Sequence, residues 1–273
     1  MLLSVNHITR YVYDRPVRGT VQSHRLIPSR FEGQKVLDWA VSVSGGVMGG
    51  GFRDGAGDYV QSYTIAGPCD EITVQVTGQV ETVDLAGVLR GHRETISPLA
   101  YLRQTPATQP DGAITALSAA FTPQDALGGA HSLSRAVSEA ITYAPGATHA
   151  ATTAAQALAQ GAGVCQDHAQ VLISAARHAG LPARYVSGYL HTSQDGQAHE
   201  AAHAWAEIHL AGLGWVGFDP ANQCCPDGRY IRLGSGFDAQ DAAPIRGVSR
   251  AMGGNGAALE NLSVTVAIAA QAQ

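Results

Sequence analysis

The first hundred residues alternate between apolar and polar or small positions with a period of two. Every second residue from Leu37 to Val43 is apolar, and residues 72–80 repeat this spacing. Such a period places successive side chains on opposite faces of a strand, so it predicts half-buried β-strands. Residues 45–57 are rich in glycine and predict a long turn or loop between the two strands.

The second half of the chain changes to helical spacing. Residues 132–143 and 152–160 are rich in alanine, with apolar positions at helical intervals, and each predicts a helix. A third helix is expected over residues 165–178, because Gly180 and Pro182 supply its stop signal. Strands are expected to follow over residues 183–190, 203–210 and 215–219, with a last strand over residues 262–268.

This change of pattern predicts an α+β protein of two domains. The segment from Gln104 to Gly112 contains two prolines and a glycine and is typical of a linker. We therefore expect a β-rich, sandwich-like accessory domain over residues 1–105 and a mixed catalytic core over residues 106–273. A chain of 273 residues is long enough to bury a substantial core.

Charge and composition narrow the expected partners. The net charge is −5 and the sequence pI is about 6.1, and no basic stripe of the kind that binds nucleic acid is present. No run of 18 apolar residues occurs, so we expect no membrane span. Polar residues follow Met1 closely, so no secretory signal is expected, and the four cysteines are expected to stay reduced in a cytoplasmic protein.

Candidate chemistry begins at residues 161–168, Gly-Ala-Gly-Val-Cys-Gln-Asp-His, which place Cys165 at the start of the third helix. A helix N-terminus carries unpaired N–H groups and partial positive charge. Both favour the thiolate, which is the nucleophilic form of cysteine, and the backbone N–H of Cys165 is placed to receive an oxyanion. From this stretch alone, a buried cysteine that only packs remains the alternative.

Two further residues complete a possible triad. His203 begins one predicted strand and Asp219 ends the next, just before Pro220, with a short turn at residues 212–214 between the strands. The two strands are therefore expected to be neighbours. The chain order Cys, His, Asp fits a thiol nucleophile, a base and an acceptor that fixes the imidazole tautomer. Taken singly, His203 and Asp219 are ordinary strand positions, so the hypothesis depends on all three residues.

The motifs around these residues resemble those of the transglutaminase-like superfamily, in its bacterial branch with a β-rich N-terminal domain. The resemblance is carried by Gly163-Val164-Cys165-Gln166-Asp167, the strand at residues 181–189, His203-Ala204-Trp205-Ala206-Glu207, Gly214-Trp215-Val216-Gly217-Phe218-Asp219-Pro220 and Tyr11-Val12-Tyr13-Asp14-Arg15-Pro16-Val17. It implies a papain/transglutaminase-like core in which the cysteine helix packs on an antiparallel sheet. It also implies that Cys165, His203 and Asp219 are catalytic.

The resemblance is incomplete at the oxyanion position. Animal transglutaminases use a tryptophan upstream of the cysteine, whereas no tryptophan lies between Trp39 and Trp205 of this chain. Tyr143 is the candidate to replace it. Gln166, Tyr189 and Trp205 are further candidates for oxyanion contact or for lining the cleft.

The expected activity is acyl transfer through a thioester at amide, peptide or isopeptide bonds, as in a cysteine protease or amidase. The expected partner is a peptide, a protein or another amide-containing substrate, and neither a cofactor nor a metal is required. A protein-glutamine transamidase is one alternative. A binding module with a silent site is another.

A third alternative comes from a competing motif. His199-Glu200-Ala201-Ala202-His203 matches the H-E-x-x-H pattern of zinc metallopeptidases, in which both histidines lie on one helix face. The residues after His203 alternate with a period of two, which favours a strand over the helix that the motif requires.

Overall fold

A computed structural model describes the protein over residues 1–192, 202–252 and 260–271. Within these ranges the fold is α+β, as the sequence predicts. The strands are β1 (Leu2–His24), β2 (Gln34–Val43), β3 (Gly46–Arg53), β4 (Tyr59–Thr82), β5 (Thr142–Tyr143), β6 (Ala162–Gly163), β7 (Ala183–Leu190), β8 (Ala202–Leu210), β9 (Gly214–Phe218), β10 (Tyr230–Gly236), β11 (Ile245–Ala251) and β12 (Glu260–Gln271). The helices are a 3-10 helix (Pro98–Leu102), α1 (Gly112–Ser118), α2 (Ala126–Ala140), α3 (Ala154–Gln160) and α4 (Cys165–His178).

The N-terminal sheet is built around the two long strands β1 and β4. Its antiparallel order is β11–β1–β4–β2, with β12 also pairing with β1 and β3 also pairing with β4. Alternating residues of β1, among them Leu3 and Val5, are buried on one face of the sheet. The period-two pattern predicted for this region is therefore confirmed, since burial alternates along both long strands.

The end of the chain returns to this sheet, which differs from the predicted assignment of residues 106–273 to one core. β11 and β12 pair with β1, so that Val248 lies opposite Val21 and Val266 lies opposite His7. A period of two shows that a segment is a strand but not which distant strand it joins. Residues 245–251 and 260–271 therefore complete the N-terminal sheet, while the boundary at residue 105 stays a prediction.

The glycine-rich segment expected to be a loop contains a strand instead. β3 pairs with β4 because the edge of β4 offers backbone groups that need partners. The glycines make room for side chains of β4: a Cβ at Gly49 would lie 2.5 Å from Ser62 Oγ, and one at Gly51 would meet the Tyr59 hydroxyl. Here glycine permits close packing across a strand pair, which its low β-propensity does not reveal.

The core consists of α4 lying on a second antiparallel sheet of order β10–β7–β8–β9. The predicted helix over residues 165–178 is confirmed. On β8 the side chains of Ala204, Ala206 and Ile208 belong to the same apolar cluster as α4, and the two alanines allow a close approach of the helix. Helices α1, α2 and α3 also pack against α4, which leaves it almost wholly buried. No helix in the described ranges is long and apolar enough to cross a membrane.

A buried network of charged side chains joins the core to the N-terminal sheet. The Glu207 carboxylate accepts hydrogen bonds from Arg184 Nε at 2.7 Å and Arg232 Nε at 2.8 Å. Arg232 also donates to Asp58, just before β4, at 2.6 Å, and Arg184 donates to Glu94 at 2.6 Å. The network therefore connects β7, β8 and β10 with the N-terminal sheet and with the segment that follows it.

The charges in this network stabilise one another against the cost of burial. Burial alone would raise the pKa of Glu207, but Arg232 and Arg184 outweigh it and lower that pKa to about 2. Burial alone would likewise raise the pKa of Asp58, yet the same two guanidinium groups lower it below its usual range. Both carboxylates are therefore ionised at neutral pH.

We expect Glu207→Gln to destabilise the protein strongly, because it leaves two buried guanidinium groups without their shared counter-ion. Breaking a buried ion pair by removing one partner costs about 3–5 kcal/mol of the free energy of unfolding. Urea denaturation measures this loss. The matched control is Glu81→Gln at the exposed Lys35–Glu81 pair, where less than about 1 kcal/mol is expected. Equal losses for the two variants would contradict this account.

Candidate active site

The first turn of α4 fixes the position of Cys165. The Asp167 carboxylate accepts hydrogen bonds from the backbone N–H of Val164 at 2.8 Å and from the Thr148 hydroxyl at 2.5 Å. Gly163 permits this contact, because a Cβ there would lie 2.6 Å from the same carboxylate. The sulfur is therefore held at a helix N-terminus, where unpaired N–H groups favour negative charge.

His203 and Asp219 meet because β8 and β9 are antiparallel neighbours. Their register pairs Ala206 with Phe218, which brings the start of β8 beside the end of β9. His203 Nε2 lies 2.6 Å from Asp219 Oδ2 and donates to it, since a carboxylate only accepts. Cys165 also acts on the imidazole and favours its protonated form. The structure thus brings together the three residues of the predicted triad.

The surroundings favour a charged imidazole. Burial alone would lower the pKa of His203, but hydrogen bonds and charges of Asp219 and Cys165 outweigh burial and raise it to about 10. Burial alone would raise the pKa of Asp219, whereas the hydrogen bond from His203 and its charge lower it below the usual range. At neutral pH the pair is an imidazolium and a carboxylate, which is the state that can protonate a leaving amine.

Two of the predicted oxyanion or cleft residues, Gln166 and Tyr143, are exposed to solvent. The Cys165 thiol donates to Gln166 Oε1 at 3.2 Å. A rotation of this amide by half a turn would present its NH2 group to a thiolate or an oxyanion at the same place. Tyr143 is 54% exposed and pairs with Gly163 across β5 and β6, two residues before Cys165. Gln166 therefore borders the site, whereas the Tyr143 ring lies beside His168, with 6.4 Å between ring centroids.

The other two predicted cleft residues are buried and do not line an open cleft. Tyr189 is 1% exposed, and its hydroxyl lies 2.7 Å from Nδ1 of His7 on β1. Trp205 is 2% exposed and stacks on His203, with 6.3 Å between ring centroids. The N-terminal sheet covers this end of β7, which the local sequence pattern does not show. Trp205 supports the imidazole instead of contacting solvent.

Two residues that sequence reasoning missed also contact the triad. Asn222 donates through Nδ2 to Asp219 Oδ2 at 2.7 Å, and the Tyr230 hydroxyl donates to the same oxygen at 2.8 Å. Asn222 follows Asp219 by three residues, a spacing at which a turn after the strand brings side chains together. Tyr230 lies eleven residues after Asp219, at the start of β10, and no local signal distinguishes it.

The competing zinc motif does not have the required conformation at its second histidine. His203 lies on β8, whereas the H-E-x-x-H pattern needs both histidines on one helix. His199 and Glu200 lie outside the described residues. Within those residues no group of three histidine, cysteine or acidic side chains is arranged to hold a metal ion.

A helix that begins with cysteine and packs on an antiparallel sheet carrying histidine and aspartate is the arrangement of the transglutaminase-like fold. The chain belongs to the transglutaminase-like superfamily. The core model of that superfamily matches residues 115–220, and the model of the bacterial transglutaminase-like N-terminal region matches residues 3–81. The family that the motifs indicate is therefore confirmed.

One relative matches nearly the whole chain and another matches part of it. An uncharacterised protein of Mycobacterium leprae (strain TN) is 30% identical over 265 residues, which cover 90% of this chain and 92% of that protein. An uncharacterised protein of Mycobacterium tuberculosis (strain ATCC 25618 / H37Rv) is 39% identical over 117 residues, covering 40% of this chain and 37% of that protein.

A solved structure supports the fold. The crystal structure of a "Putative Cysteine Protease from Cytophaga hutchinsonii" aligns with a TM-score of 0.74 and 21% identity, and the alignment covers 100% of this chain and 92% of that one. At this identity the likeness shows a shared fold alone.

We expect the ring of His203 to titrate far above an ordinary histidine. The carboxylate of Asp219 stabilises the imidazolium, so the proton should be lost only near pH 10. Asp219→Asn removes that charge and should move the midpoint to lower pH. Nitrogen-15 NMR of the histidine rings measures both midpoints, with His203→Gln to assign the signal. A wild-type midpoint at or below 6.5 would contradict the geometry.

Proposed function

We propose that the protein is a thiol-dependent acyl-transfer enzyme that hydrolyses amide bonds in peptide or protein substrates. The observation that carries this proposal is the hydrogen bond between His203 and Asp219 beside the start of α4, where Cys165 acts on the same imidazole. A sulfur, an imidazolium and a carboxylate in this order have the parts of a nucleophile, an acid–base group and an orienting acceptor. The name of the Cytophaga hutchinsonii relative agrees with a cysteine protease.

The first half-reaction forms a thioester. The Cys165 thiolate attacks the carbonyl carbon, and negative charge develops on the carbonyl oxygen. The backbone N–H of Cys165 is placed to receive that charge, with Gln166 or Tyr143 as second donor. The C–N bond then breaks, and the leaving amine takes the proton of the His203 imidazolium. Asp219 keeps the imidazole in the required orientation throughout.

The second half-reaction releases the acyl group. His203 now removes a proton from water, which attacks the thioester carbonyl. The C–S bond breaks, the carboxylic acid leaves, and the thiolate–imidazolium pair is restored. A primary amine in place of water gives transamidation by the same steps. The reaction balances with the substrate and water, so no cofactor enters it.

We expect Cys165→Ala to abolish turnover, with a loss of at least about 10³-fold, because only binding and oxyanion contacts remain. The assay is mass spectrometry of a peptide library incubated with the protein, with and without a primary amine. Cys69→Ala, on the N-terminal sheet, is the matched control and should retain activity. Incorporation of the amine would identify a transamidase. If Glu200→Gln abolishes activity and Cys165→Ala spares it, the zinc alternative replaces this mechanism.

The reactivity of the Cys165 sulfur distinguishes the proposed enzyme from a binding module with a silent site. Iodoacetamide should label Cys165 well before the other cysteines, because the His203 imidazolium stabilises the anionic sulfur. Burial raises the pKa of Cys69 and Cys224 and raises that of Cys225 to about 11. Peptide mass spectrometry after timed quenching measures the four rates. Equal rates, or an unchanged preference in His203→Gln, would show that the triad does not activate Cys165.

A further inference from the structure

Tyr230 and Asn222 both donate hydrogen bonds to the carboxylate of Asp219, the first from the protein interior and the second from the solvent-exposed side. Tyr230 is 5% exposed at the start of β10, whereas Asn222 is exposed to solvent. We propose that both are positioning residues of the triad, which hold Asp219 Oδ2 on His203 and so fix the imidazole against Cys165. This inference rests on the proposed function of the same site.

The first argument is the number of donors on one oxygen. Asp219 Oδ2 accepts from His203 Nε2 at 2.6 Å, Asn222 Nδ2 at 2.7 Å and the Tyr230 hydroxyl at 2.8 Å. The other oxygen accepts from the backbone N–H of Asn222 at 3.2 Å. Asp219 itself has no exposed surface, so these groups replace water. A rotation of the carboxylate would break several charge-assisted hydrogen bonds together.

The second argument concerns the direction in which the Tyr230 proton points. The carboxylate only accepts, so the hydroxyl must donate to it. Burial, and then the negative charge of Asp219, raise the pKa of Tyr230 far above its usual range, which keeps the hydroxyl protonated. Cys224 Sγ lies 3.2 Å from the hydroxyl oxygen of Tyr230, and burial raises the pKa of the Cys224 thiol as well. The thiol therefore donates to the hydroxyl, whose own proton is directed at Asp219.

The third argument is that the Tyr230 ring also supports the imidazole. Its edge packs against the ring of His203 at 5.8 Å between centroids and against Trp205 at 5.5 Å. Trp205 stacks in turn on His203. One side chain thus contacts both the carboxylate and the imidazole, so it constrains their relative position.

The two residues should act on the chemical step and not on substrate binding. Neither the Tyr230 hydroxyl nor the Asn222 amide is needed to bind a substrate in this scheme, so KM should change little. With fewer donors competing for Oδ2, the remaining hydrogen bond from His203 should strengthen. The resonance of the His203 Nε2 proton should consequently move downfield, although the carboxylate is held less firmly in place.

The experiment compares Tyr230→Phe and Asn222→Ala with wild type in the full chain. We expect kcat to fall roughly tenfold in each, as for loss of one hydrogen bond to a charged group, with KM within about twofold and a downfield shift of the Nε2 proton. Tyr63→Phe is the matched control, because its buried hydroxyl contacts Val41 in the N-terminal sheet. That variant should leave kcat and the proton resonance unchanged.

Each outcome decides the proposal. If both variants keep wild-type kcat and an unmoved resonance, the two residues do not position the triad. If Tyr230→Phe does not fold, the exposed Asn222 decides through its own variant. Failure of the proposed function is recognised separately, because Cys165→Ala would then retain turnover. Wild-type turnover that depends on Cys165, combined with silent Tyr230 and Asn222 variants, would overturn this inference alone.

Discussion

The geometry of the site depends on the burial of Glu207 between two guanidinium groups. An isolated carboxylate in this position would be very costly, so both arginines must be present and correctly placed. Arg184 lies on β7, the neighbour of β8, and Arg232 lies on β10, the next strand beyond β7. His203 lies four residues before Glu207 on β8, and Tyr230 lies two residues before Arg232 on β10. The ion network therefore aligns the strands from which the site is built.

Strand β8 contacts two different environments because its side chains alternate between the two faces of the sheet. Ala204, Ala206 and Ile208 face α4, where small side chains allow the helix to lie close to the sheet. Trp205 and Glu207 lie on the other face, among aromatic and charged partners. Close packing of the helix brings its N-terminus to the start of β8. The sulfur and the imidazole are brought together by this packing, in which Cys165 itself is a buried member of the apolar cluster.

The local sequence pattern was sufficient to predict those elements that are determined by residues close together in the chain. The α4 helix was predictable because Gly180 follows it with a positive φ angle that ends a helix readily. Cys165, His203 and Asp219 were predictable because each occupies an element boundary with a recognisable motif. The pairing of β11 and β12 with β1 was not, since it depends on contacts more than 200 residues apart. Tyr230 is only eleven residues from Asp219, but it was missed because no local pattern marks a tyrosine in β10 as a partner of that carboxylate.

The N-terminal sheet also affects the position of the triad, through its packing against β10. Ile231 and Leu233 of β10 are buried in the same apolar cluster as Leu3 and Val5 of β1. Because side chains alternate along a strand, Tyr230 points away from that cluster and towards Asp219. Packing of β10 on the N-terminal sheet therefore determines where the tyrosine hydroxyl meets the carboxylate. A substitution that loosens this packing would reach the triad through β10, without touching any residue of the active site.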